Sequence, residues 1–69
     1  MSESVYKIIE VVGTSPVSWE EAAKHAVQTA GSSVRDLRVA EIVKLDMAIA
    51  ENAAVSFRAR VSLSFKYER

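Results

Sequence analysis

The sequence predicts a two-layer α+β domain of order β-α-β-β, with a three-stranded antiparallel sheet wrapped around one helix and a single domain over residues 1–69. Three observations carry this. A β-branched and aromatic run opens the chain, a capping box starts a helix rich in small residues, and the last segment alternates strictly between apolar and polar side chains.

Ser4–Val12 (SVYKIIEVV) reads as the first strand, ended by the turn cluster Gly13-Thr14-Ser15-Pro16. Ser18 with Glu21 three residues later forms an S-x-x-E capping box. Val17 stands at the staple position before the cap, opposite Ala22. The apolar set Ala22, Ala23, Ala26, Val27, Ala30 and Val34 recurs at helical spacing, and its small side chains let the helix lie close to a sheet. Gly31-Ser32-Ser33 weakens the last turn, so the helix is expected to end near Val34–Asp36.

Arg38–Ala50 is the second strand, with a mixed pattern. Val39, Val43, Leu45, Met47 and Ile49 share one parity with Glu41, while Ala40, Ile42 and Ala48 take the other. Such a strand is covered on both faces, which here requires another subunit, or else a bulge swaps its faces midway. Glu51–Ala54 has no glycine, so a loop longer than a tight hairpin turn is expected. In Val55–Tyr67 the odd positions from Val55 to Tyr67 are apolar and the even positions polar, as in a half-buried antiparallel strand.

Composition narrows the function classes. A chain of 69 residues buries only about 60% of its unfolded surface, and small domains add disulfides, a metal or partner subunits. There is no cysteine and only one histidine, His25, so oligomerisation is what remains, although domains of this size also fold alone. Nine basic and nine acidic residues balance, which argues against a nucleic-acid footprint. From Val55 onward, however, Arg58, Arg60, Lys66 and Arg69 face one acid, Glu68. That surplus suits an anion or phosphate, or else a solvated strand edge protected by charge. No secretory signal or long apolar segment is seen, so a cytoplasmic protein without membrane contact is expected.

No catalytic constellation is present. Gly13-Thr14-Ser15 suits either a weak anion-binding helix N-terminus or a plain capped turn. His25 has Glu21 and Thr29 at helical spacing but no nucleophile, which fits a surface or interface residue better than an acid–base catalyst. Trp19 reads as a packing residue, with ligand stacking as the other reading. Asp46, Glu51 and Asn52 offer hard oxygen ligands without an EF-hand pattern. A carboxylate repeated around a symmetry axis supplies several oxygens without any local motif, so Asp46 and Glu51 remain candidates for a metal.

The segment Val5-Tyr6-Lys7-Ile8-Ile9-Glu10-Val11-Val12-Gly13-Thr14-Ser15-Pro16 followed by Ser18-Trp19-Glu20-Glu21-Ala22 resembles the signature of the dodecin family. The likeness runs on through Leu37-Arg38, Glu41-Ile42 and Val61 to Phe65. It implies a hollow homododecamer that holds flavin (FMN or riboflavin) between two-fold-related subunits. In that family a tryptophan stacks on the flavin ring and a glutamine hydrogen-bonds it. The corresponding residues here are Val39 and Arg58. Losing the aromatic platform forfeits about 0.5–1.5 kcal/mol per stacked face, and arginine for glutamine replaces a donor–acceptor by a donor-only cation. Arg58 would favour an anionic or phosphate-bearing ligand. The Arg38-Val39-Ala40, Asp46-Met47-Ala48 and Ser64-Phe65-Lys66 runs are similar to a dodecin branch associated with calcium. The resemblance therefore implies a ligand-storage shell with an altered pocket. Its rivals are a calcium-binding shell and a structural oligomer without ligand, with an enzyme ranked last.

Overall fold

The computed structural model describes residues 4–52 and 55–67. Residues 1–3, Ala53 and Ala54 of the expected loop, and Glu68 and Arg69 of the C-terminal charge set lie outside them. The elements are β1 (Tyr6–Ser15), α1 (Trp19–Gly31), β2 (Leu37–Ile49) and β3 (Val55–Lys66). They form one antiparallel sheet of order β1-β3-β2. The strand with the cleanest alternation, β3, takes the centre. Its Ala59, Val61 and Leu63 face α1 and, with Ala22 and Ala26 of the helix, are the buried apolar core among the described residues.

Where the first strand ends is the clearest departure from expectation. Gly13, Thr14 and Ser15 are not a turn but continue β1, paired with Ala59, Arg58 and Phe57. Gly13 serves close approach: a Cβ there would run into the Ala22 carbonyl oxygen and lie 2.9 Å from the Ala26 Cβ. Backbone of strand and helix are in contact at this point, and no larger residue fits between them.

The helix start is as expected, with one exchange of partners. Ser18 accepts the Glu21 N–H at 3.0 Å, the first half of a capping box. The reciprocal bond comes from elsewhere. The Ser15 hydroxyl, 2% exposed, accepts the Val17 N–H at 2.9 Å and the Ser18 N–H at 3.4 Å, which frees the Glu21 carboxylate for His25. Three N–H groups around the helix start, those of Val17, Ser18 and Glu21, are thus engaged within the chain. The staple is not made, since Val17 is exposed while Ala22 is fully buried against the sheet. At the other end α1 stops at Gly31, short of Val34–Asp36. Ser32 and Ser33 hydroxyls bond back to the Thr29 and Ala30 carbonyls at 2.7 and 3.3 Å, and the Val34 N–H closes on Ala30 at 2.9 Å. Serine side chains that compete for the last carbonyls end a helix early. Asp36, with φ 59°, then turns the chain into β2.

The bulge explains the mixed pattern of β2. The register against β3 slips between Leu37 and Val39 and again between Ile42 and Lys44. Directly paired residues share a face, so Leu37, Ala40, Ile42, Leu45, Met47 and Ile49 all lie on the helix side, across the slip at Val43. Two-sided cover is not needed to account for the parity. Cover of one side is still missing: Ile42, Leu45 and Met47 are each 48% exposed. A helix of 13 residues spans ~20 Å and covers β1 and β3 but leaves the far half of β2 bare. The result is an elongated chain with a radius of gyration of 14.3 Å, against about 11 Å for a compact fold of this length. Its accessible surface is 5292 Å², where a folded monomer of this mass exposes roughly 4,300 Å².

Two substitutions separate the contacts that matter here. Ser18→Ala removes one cap and should lower unfolding free energy by about 0.5–2 kcal/mol. Gly13→Ala forces α1 off the sheet and should cost more, at the upper end of the ~1–3 kcal/mol typical of overpacking or beyond it. Urea denaturation of both variants checks the order. Equal midpoints would place the strand–helix contact elsewhere.

Candidate functional site

The sheet face turned away from α1 carries the residues singled out above. Register puts Val39 opposite Ser64, and Asp46 opposite Arg58. On one face of β3, Arg58 and Ser64 are six residues apart, roughly 20 Å at the strand rise. Val39 and Arg58 therefore share a face without meeting in one chain.

Asp46 and Arg58 do meet. Arg58 Nε donates to Asp46 Oδ1 at 2.8 Å and Nη2 to Oδ2 at 3.5 Å, a fork held by direct cross-strand pairing. The Arg58 hydrogen bond holds the Asp46 carboxyl below the usual carboxylate range. Partial desolvation opposes this, and the charges of Arg58, Lys44 and Arg60 add to it. The same bond pushes the Arg58 guanidinium up. One sequence candidate for a cation site thus neutralises one candidate for an anion site. Only a chain with known strand register reveals this, because twelve residues separate the two.

Glu51 lies exposed in the turn after β2. Among the described residues no three His, Cys, Asp or Glu side chains gather in a way that could hold a metal ion. One chain brings Asp46 and Glu51 into no such cluster.

Along the other edge, α1 and β1 enclose a groove of about 630 Å³ lined by Val11, Thr14, His25, Thr29 and Val34 among others. His25 Nδ1 lies 3.2 Å from the Thr14 carbonyl, and Nε2 lies 3.3 Å from Glu21 Oε1. A carbonyl only accepts, so Nδ1 carries a proton in this bond. The Nδ1 contact ties helix to strand, while Nε2 faces Glu21 one turn earlier on the same helix. Trp19 is likewise a packing residue: its Nε1 donates to the Asp46 carbonyl at 2.9 Å and its ring meets Phe57 edge-on at 5.0 Å. Sequence reasoning missed Ser15 and the groove at the end of the sheet lined by Lys7, Arg35 and Lys66. A serine two residues before an N–H it can accept is a readable signal; three cations from separate elements are not.

Among the described residues no helix is long and apolar enough to cross a membrane. A family model described as Dodecin matches residues 5–68. The calcium dodecin of Mycobacterium tuberculosis (strain ATCC 25618 / H37Rv) is 49% identical over 63 residues, covering 91% of this chain and 89% of that protein. Its crystal structure, described as having a novel calcium-binding site, superposes with a TM-score of 0.87 at 48% identity, covering 94% of this chain and 93% of the other. Dodecin from Streptomyces coelicolor gives a TM-score of 0.90 at 30% identity over 100% of this chain and 99% of the other. An arginine-to-alanine mutant of the Thermus thermophilus dodecin gives 0.87 at 28%, with coverage of 97% and 98%.

The ion pair has a definite pH signature. A carboxyl whose folded pKa is depressed contributes stability above its ordinary value of ~3.9 and loses it as pH falls through the depressed value. Carboxyl-carbon NMR titration should find Asp46 ionised below the ordinary midpoint, and Arg58→Gln should raise that midpoint. An unmoved midpoint would mean that the pair does not exist in solution.

Proposed function

This chain belongs to the dodecin family, and on that premise we propose that it is a non-enzymatic, homododecameric shell of single 1–69 domains that stores a small ligand between subunits. The observation that carries this reading is the separation of Val39 and Arg58. They share a sheet face at roughly 20 Å, so one ligand touches both positions only when a second copy of the chain supplies one of them. The bare helix-side row Ile42, Leu45, Met47 and Ile49, with the surplus of accessible surface, supports burial against such copies. Removing a few hundred Å² of apolar surface per subunit at ~25 cal/mol per Å² stabilises the assembly by several kcal/mol.

The ligand of this pocket is a flavin held without its usual aromatic platform. Val39, 57% exposed, offers apolar contact in place of stacking. Arg58 offers the guanidinium N–H groups that Asp46 leaves free.

Calcium is the second reading, favoured by the similarity to a relative named calcium dodecin. Of the two carboxylates, Glu51 suits it better. Asp46 is held by Arg58 and flanked by Lys44 and Arg60, which repel a second cation. Several copies of Glu51 around an axis would have to supply the oxygens.

Two measurements test these readings. Light scattering at micromolar concentration should give the mass of twelve chains; a folded monomer would refute the shell. Val39→Trp combined with Arg58→Gln should strengthen riboflavin binding, by about tenfold if both ring faces regain a platform, seen as fluorescence quenching. If that variant leaves flavin binding unchanged while calcium raises the melting temperature of the wild type, the calcium reading replaces the flavin one.

A further inference from the structure

Glu21 and His25 stand one turn apart on α1, and the gap between their side chains calls for a positive charge. Ser15 accepts the Ser18 N–H that a capping glutamate would take, so the Glu21 carboxylate is released from the cap and faces the imidazole. His25 is oriented from its other side. Its Nδ1 donates to the Thr14 carbonyl of β1 at 3.2 Å, and a neutral imidazole protonated at Nδ1 carries a lone pair at Nε2. That lone pair faces Glu21 Oε1 at 3.3 Å. Two acceptors at this separation repel, and a proton or a metal cation between them turns the contact into attraction.

Distance and chemistry favour the metal. A charge-assisted N–H···O bond closes to about 2.7–2.9 Å, so 3.3 Å is long for a shared proton. Two donors bound at about 2.0–2.2 Å to one tetrahedral ion stand about 3.3–3.5 Å apart, the separation seen here. The bond from Nδ1 to a backbone carbonyl is the outer contact that fixes the tautomer and ring direction of metal-ligating histidines. Ligands at i and i+4 on one helix face are also the spacing by which a helix chelates zinc. Both side chains are about half exposed, and His25 lies on the groove of about 630 Å³ between α1 and β1, so water reaches the remaining coordination positions. Among the described residues no third His, Cys, Asp or Glu joins the pair, and neither member has another ion pair.

We propose that Glu21 and His25 form a two-residue site for a divalent cation of the zinc class. Nε2 and Oε1 are the ligands, Thr14 holds the ring, and water completes the coordination. Imidazole combined with carboxylate suits such ions, whereas calcium takes oxygen donors. The site differs in position and chemistry from the pocket at Val39 and Arg58 and from a calcium site built on Glu51, and it requires neither. An ion bound there clamps one turn of α1 and, through His25, holds the helix against β1.

The test uses the untagged, assembled protein, with the assembly of each variant checked by light scattering. His25 is the one histidine of the chain, so ring-nitrogen NMR reports a single imidazole per subunit. Zinc chloride should move the Nε2 signal while Nδ1 stays protonated, and calcium chloride at the same concentration should move neither. Calorimetry should show zinc binding that His25→Gln and Glu21→Gln each weaken at least about tenfold, since loss of an outer partner alone costs about 10–100-fold. Glu20→Gln removes the same charge one residue away and should leave zinc binding nearly unchanged. An Nε2 signal unmoved by millimolar zinc would assign the gap to a proton and overturn the proposal, with no substitution needed. Equal movement with calcium would overturn it too, as would a loss in Glu20→Gln equal to that in Glu21→Gln.

Discussion

The close approach of α1 to the sheet at Gly13 governs the rest of the molecule. Helix and strand backbones come together there because Gly13, Ala22 and Ala26 present almost no side chain between them. Close packing of small residues gives a well-defined contact but little buried apolar volume. The resulting core is Ala22, Ala26, Ala59, Val61 and Leu63, a poor counterweight to the conformational entropy of a folded chain. The same contact sets α1 over β1 and β3 and so leaves the far half of β2 bare. A thin core and a bare apolar strand are two consequences of one packing choice, and burial against further copies of the chain answers both.

Charge is organised by strand register rather than by local sequence. On the face away from the helix, Asp46 and Arg58 sit directly opposite each other and satisfy one another. Half-exposed pairs of this kind add little to stability, but they decide which charges remain for a ligand. Among the described residues Lys7, Arg35 and Lys66 have no ion pair, and the Lys7 ammonium lies over the Tyr67 ring. Net charge hides this division, because it counts a compensated arginine and an uncompensated lysine alike.

The loop before α1 shows how one small polar residue can redirect its neighbours. Ser15, at the buried end of β1, accepts the Val17 N–H and also the Ser18 N–H that Glu21 would otherwise have served. The Glu21 carboxylate then reaches His25, whose other nitrogen is tied to Thr14. Strand end, helix start and helix flank are joined in one chain of hydrogen bonds, which holds the open edge of the sheet against the helix.

Sequence by itself determined the element order, the half-buried alternation of β3, the cap at Ser18 and the need for small residues on α1. Each is a local periodicity or a pattern within a few residues, and such signals survive in one dimension. The extension of β1 through Ser15 was not legible, since glycine is read as a turn until its helical neighbour is known. The early stop of α1 depended on serine hydroxyls choosing the last carbonyls. The tertiary structure alone decided the bulge at Val43, the pairing of Asp46 with Arg58 and the separation of Val39 from Arg58. Those features depend on which residues lie opposite one another across strands, and a single slipped residue in β2 reverses every face beyond it.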